Sequence, residues 1–85
     1  MYKTRYSRQA SKSLLRLQKE IGSQIREKLS EIALDPFAYH SNVTKLQNRP
    51  GYRIRVANWR VFYEIDKGEM IITVIKIGLR GEIYR

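Results

Sequence analysis

Between Tyr52 and Asp66 the chain reads YRIRVANWRVFYEID, and Tyr52, Ile54 and Val56 alternate there with Arg53, Arg55 and Ala57. A period of two places the apolar set on one face of a strand and the guanidiniums on the other. Arg60 to Ile65 reads as a second strand. With Asn58 and Trp59 as the turn, Ala57 would face Arg60, Arg55 would face Phe62 and Arg53 would face Glu64. Arg53, Arg55 and Arg60 then share the polar face.

The N-terminal half changes period. Tyr2, Thr4 and Tyr6 alternate with Lys3 and Arg5 as a short strand, and Ser7 offers a helix N-cap. From Arg8 to Ile21 the apolar positions Ala10, Leu14, Leu17 and Ile21 recur at helical spacing, with Arg8, Lys12, Arg16 and Lys19 off the stripe. Gly22-Ser23 interrupts, and a second stripe through Ile25, Leu29, Ile32 and Ala33 runs to Asp35-Pro36. The pattern predicts two helices in an αα-hairpin. Phe37 to Arg49 has no period and is expected to be a loop, anchored by Lys45-Leu46 and ended by Asn48-Arg49-Pro50-Gly51.

Asp66-Lys67-Gly68 predicts a turn, and the apolar run Met70 to Ile77 an interior strand. A three-residue loop with Gly68 left-handed would pair Ile65 with Glu69. It would put Lys76 on the arginine face and Ile71, Thr73, Ile75 and Ile77 toward the helices. The alternative two-residue loop buries the Lys76 charge and is the costlier register. Gly78 breaks the strand, Leu79-Arg80-Gly81 bends, and Glu82 to Arg85 closes the chain. The expectation is a single α+β domain over residues 1–85, with an N-terminal strand and helical hairpin packed on one face of a largely antiparallel four- to five-stranded sheet.

Charge sharpens this picture. Seventeen Lys and Arg against eight Asp and Glu give a formal charge of +9 in 85 residues. That favours a polyanionic partner, nucleic acid before a membrane surface, since no apolar run approaches the ~18 residues of a spanning helix. No signal-peptide pattern opens the chain, and the absence of cysteine excludes disulfides and thiolate metal sites. A cytoplasmic protein is the reading these features fit.

Three arginines on one strand face are either a solvated surface or an anion site, and neighbouring like charges need an anion to compensate them. No HExxH, P-loop, GxGxxG, GxSxG or EF-hand motif occurs, so the expected chemistry uses no metal and no cofactor. His40 stands in a loop without an acidic neighbour to orient it and reads as a surface residue. Arg53, Arg55, Arg60, Lys76 and Arg80, with Tyr52, Tyr63 and Tyr84, suit phosphate binding and base stacking. They fit RNA better than groove reading of DNA.

GYRIRVANWRVFYEID followed by IKIGLRGEIYR resembles the RelE/ParE superfamily of bacterial toxins from type II toxin–antitoxin systems, and the order of elements is similar throughout the chain. In the RelE branch this resemblance implies ribosome-dependent cleavage of mRNA in the A site, by attack of a ribose 2′-OH on the adjacent phosphate. It implies a catalytic set of Arg53, Arg55, Arg60, Arg80 and Tyr84, with Lys45, Arg49, Tyr52, Lys76 and Arg85 as further RNA contacts. It also implies a RelB-like antitoxin in a hetero-oligomer. The ParE branch would instead act on DNA gyrase without cutting RNA, and a non-enzymatic RNA-binding module is a third reading. Some RelE members carry lysines where Arg53 and Arg55 stand, and relatives often carry histidine where Leu79 stands. An arginine stays protonated, so proton removal would fall to Tyr84, to a ribosomal or substrate group, or to water. The C-terminal helix of some members has no counterpart before the chain stops at Arg85.

Overall fold

The computed structural model describes residues 1–80. It runs β1 (Lys3–Tyr6), α1 (Arg8–Arg16), α2 (Lys19–Leu34), β2 (Val43–Lys45), β3 (Tyr52–Val56), β4 (Trp59–Asp66) and β5 (Ile71–Leu79). The five strands form one sheet in the order β1-β5-β4-β3-β2, antiparallel except where β1 runs parallel to β5. Both helices cover one face. Ala10 and Leu14 of α1 and Ile25, Leu29 and Ile32 of α2 pack on Ile54, Val61, Tyr63, Ile72, Val74 and Ile77. The expected α+β architecture is the observed one. No described helix is long and apolar enough to cross a membrane.

Ser7 caps α1 as expected, its Oγ accepting from Ala10 N–H at 3.1 Å. The helix break is earlier than the sequence suggests. Leu17 and Gln18 are extended, with ψ of 153° and 144°, and Gly22 lies buried inside α2. A Cβ built at Gly22 would come 3.3 Å from Arg26 Nη1 and 4.0 Å from Leu14 Cδ1. The glycine therefore lies within α2, where a methyl group would meet the flexible end of Arg26 and make ordinary contact with Leu14, and does not end a helix.

The β3–β4 turn is Ala57-Asn58, one residue earlier than expected. It pairs Val56 with Trp59, Arg55 with Arg60 and Arg53 with Phe62. The register moves by two along the partner strand, so every side chain keeps its face. Ala57 takes φ 53°, a conformation glycine adopts freely and an L-residue adopts at a cost of ~1–2 kcal/mol. Replacing Ala57 with Gly should therefore raise stability by about 1 kcal/mol, or about 4–8 °C in Tm for a domain of this size. A thermal melt in which Ala57→Gly unfolds no later than the parent would contradict this.

Three further expectations are corrected. Val43–Lys45 is not loop but a short edge strand against β3, with Lys45 opposite Tyr52 and Thr44 opposite Arg53. The β4–β5 loop has four residues, closing on the pair Asp66–Ile71. In it Asp66 Oδ1 accepts from Glu69 N–H at 2.9 Å, and Met70, not Gly68, takes the left-handed conformation at φ 56°. Finally, β5 changes phase midway. Tyr63 pairs with Val74 but Phe62 pairs with Lys76, leaving Ile75 as a bulge. Ile72, Val74 and Ile77 consequently face the helices, whereas Ile71, Thr73 and Ile75 do not. Lys76 still reaches the arginine face, through the bulge and not through the turn.

Tyr63 lies at the centre of the core, 1% exposed and stacked on Tyr52 at 5.4 Å. Its hydroxyl is buried without a hydrogen-bond partner. Burial, and secondarily Tyr52, hold its pKa well above the ordinary value. The folded state thus keeps a proton that the unfolded chain loses above pH ~10, so stability falls as pH rises through that range. Tyr63→Phe removes the unpartnered hydroxyl and should add about 1 kcal/mol at neutral pH. It should also flatten the decline of Tm above pH ~10, leaving the smaller part due to Tyr6, whose pKa burial also raises. Melts of both proteins from pH 7 to 11 check the two effects together.

Candidate functional site: a four-arginine cleft

The outer face of the sheet, away from the helices, collects the cations. Arg53 and Arg55 project from β3, Arg60 from β4, and Arg80 follows β5, where its N–H donates to Asn58 carbonyl oxygen at 3.1 Å. That bond ties the end of β5 to the β3–β4 turn. It brings Arg80 beside the other three around a shallow cleft of about 380 Å³. Arg60 is the buried member, 5% exposed, between Arg55 on one side and Gly78 on the other. Its Nη1 donates to Trp59 carbonyl oxygen at 3.2 Å.

Among the described residues no carboxylate and no histidine lines this cleft. His40 is elsewhere, its Nε2 2.7 Å from Asp35 carbonyl oxygen after α2. Opposed arginines repel one another, and an anion bound between them removes that cost. What the cleft offers is binding of a phosphate and stabilisation of negative charge developing on it. It offers no proton acceptor among the described residues, because a guanidinium keeps its proton. No group of three or more His, Asp or Glu side chains that could hold a metal occurs among them either.

The other expected contacts separate by position. Lys76 borders the same face, in register with Phe62. Arg49 reaches over Phe62, its Cζ 5.0 Å from the ring centroid, at the far end of that face. The loop carrying Arg49 is closed by Leu46 N–H on Gly51 carbonyl oxygen at 3.0 Å. Tyr52 lies on the opposite, helix-covered face, stacked on Tyr63, and Lys45 is paired beside it. Tyr84 and Arg85 lie outside the described residues. The pairing expected from the sequence, Arg55 with Phe62, already put Phe62 on the arginine face, and the structure keeps it there opposite Arg53. What sequence reasoning missed is that Phe62 is buried beside the arginines as an apolar floor.

Over residues 4–84 the chain matches the family model described as ParE toxin of type II toxin–antitoxin system, parDE. The chain belongs to this ParE toxin family. Among solved structures, this toxin resembles the isolated Escherichia coli RelE toxin at 26% identity and a TM-score of 0.81, with 99% of this chain and 92% of that one covered. It also resembles the archaeal RelE–RelB complex from Pyrococcus horikoshii at 25% identity and TM-score 0.80, covering 95% of this chain and 97% of that one. The YoeB/ParE toxin from Agrobacterium tumefaciens shares the fold at 16% identity and TM-score 0.78, over 91% and 96% of the two chains. No curated protein sequence matches the toxin. Most of the similar structures bear RelE or RelBE names, so the toxin has the RelE/ParE-superfamily fold on the RelE-like side.

Proposed function

We propose that this chain is the toxin of a two-component toxin–antitoxin pair and that its working part is the four-arginine cleft, which binds a phosphodiester backbone. The single observation that carries this is the convergence of Arg53, Arg55, Arg60 and Arg80 on one cavity with no carboxylate among the described lining residues. In the RelE-like reading the backbone is mRNA in the ribosomal A site. A 2′-OH would attack the adjacent phosphate, Arg53 and Arg60 would stabilise the charge that develops, and Arg80 would stand at the leaving oxygen. The base would come from Tyr84, from the substrate or from the ribosome, since arginine cannot act as one.

The second reading is a ParE-like toxin that acts on DNA gyrase and breaks no RNA. Two observations favour it over cleavage: the family match is to ParE toxins, and the described part of the cleft holds no proton acceptor. In a cleft of this kind, binding is the better supported property and bond cleavage the finer step. The partner in either reading is an antitoxin, as the RelE–RelB complexes among its structural relatives suggest. An acidic, partly disordered segment that folds on binding suits a chain of charge +9. The setting is the cytoplasm in both readings.

Induced expression in growing bacteria tests the choice, comparing the parent with Arg60→Ala/Arg80→Ala. Growth arrest with new mRNA 5′ ends inside translated codons, both lost in the double variant, supports the RelE-like reading. Arrest with accumulated gyrase-cleaved DNA and intact messages supports the ParE-like one. Arrest that persists unchanged in the double variant would remove the cleft from the mechanism altogether.

A further inference from the structure

β1 ends at Tyr6, in register with Val74 and five residues short of the end of β5 at Leu79, and the chain turns away into α1. The edge of β5 from Ile75 onward thereby loses its strand neighbour. Side chains of α1 and its cap replace it. Ser7 Oγ donates to Ile75 carbonyl oxygen at 2.6 Å, and Gln9 takes both sides of Ile77, donating to its carbonyl oxygen and accepting from its N–H at 3.0 Å each. Beyond this clamp α1 and β5 diverge around a groove of about 330 Å³, a size in the range of small-ligand sites. It is lined by Gln9, Ser13 and Arg16 of α1, Trp59 of β4, and Lys76 and Gly78 of β5, with Ile77 at its base.

Two cations from separate elements, hydrogen-bonding side chains and an indole on one wall are the parts of a single-stranded nucleic-acid subsite, in which phosphates meet charges and a base stacks. The groove also adjoins the four-arginine cleft, because Gly78, which lines the groove, is the register partner of Arg60, which lines the cleft. We propose that this groove is a second RNA subsite, in which Arg16 and Lys76 hold the phosphate of a nucleotide flanking the one in the cleft and Trp59 receives its base. The proposal rests on the nucleic-acid reading of the cleft and extends it by a path around the edge of β5 toward α1. Arg8, Lys12 and Lys19, all exposed, continue that path as cations.

Trp59 is the only tryptophan in the chain and reports the groove directly. Its fluorescence is followed while the purified full chain is titrated with an adenylate dinucleotide and an adenylate hexanucleotide at several salt concentrations. The hexanucleotide should quench Trp59 and bind more tightly, whereas the dinucleotide, held in the cleft, should bind with little quenching. Arg16→Glu should leave dinucleotide affinity unchanged, lower hexanucleotide affinity about tenfold and reduce the salt slope by about 0.7, the contribution of one single-strand phosphate. Equal quenching by both lengths, or an Arg16→Glu protein indistinguishable from the parent, overturns the second subsite while leaving the cleft intact. Quenching by an acidic peptide and not by the hexanucleotide overturns it in favour of a protein ligand. Failure of the dinucleotide to bind at all overturns the nucleic-acid reading beneath it.

Discussion

Arg60→Met should weaken phosphodiester binding and at the same time make the protein more stable. Arg60 is 5% exposed, its register partner on β3 is another arginine, and its Nη1 donates to a backbone carbonyl oxygen. No described carboxylate forms an ion pair with it. A buried charge without a counter-ion is retained at a cost, and an unbranched apolar side chain of similar length keeps the packing of the stem without that cost. The expected gain is about 1 kcal/mol, or about 4–8 °C in Tm. The expected loss of affinity for a short oligonucleotide is about 30-fold or more, the size of a charge-assisted contact of ~2 kcal/mol. Parallel melts and binding titrations decide this. A lower Tm for Arg60→Met would mean that the guanidinium is a structural strut, and its place in the cleft would then say little about function.

The largest loss of stability is expected at Gly51→Ala. Gly51 has φ 109°, where a side chain is strained, and a Cβ there would come 2.8 Å from Tyr63 carbonyl oxygen and 3.2 Å from Glu64 Cγ. The first contact is with strand backbone, which cannot swing aside as a flexible side chain could. About 3 kcal/mol should be lost, combining the clash with the unfavourable φ. Urea denaturation of Gly51→Ala against the parent measures it. The defect should spread to the loop ending at Gly51, so Arg49 should lose its seat over Phe62 while Arg53, Arg55 and Arg60 keep theirs on the sheet. A loss below 0.5 kcal/mol would show that β3 and the loop shift to admit the methyl group.

The arginine face was legible because parity survives errors of two. The turn is Ala57-Asn58 and not Asn58-Trp59, yet Arg53, Arg55 and Arg60 stay on one side, since a two-residue slip returns each side chain to its own face. The helical stripes were legible for the same kind of reason, their buried positions recurring as the period predicts. The break between the helices was not. Glycine reads as a stop, whereas Gly22 lies buried inside α2 and Leu17-Gln18 makes the break. The phase of β5 was not legible either. A run as uniformly apolar as Ile71 to Ile77 carries no alternation, so the bulge at Ile75 leaves no mark in composition. Lys76 was placed on the correct face by the cost of burying its charge, which holds whichever device achieves it. The lack of a proton acceptor among the described cleft residues was visible in part, since arginine stands at positions 53 and 55, where some RelE members carry lysine.

The parallel pairing of β1 with β5 joins Lys3–Tyr6 to Ile71–Val74, so β1 must wait for a strand made about 65 residues later. Ser7 and Gln9 depend on the same late strand, through bonds that span 68 residues of sequence. During synthesis, α1 and α2 can form as local structure, but the sheet that supports them lacks its second strand in spatial order until β5 has left the ribosome. Arg80 arrives later still. Until β5 and Arg80 have emerged, a nascent chain therefore carries no assembled arginine cleft.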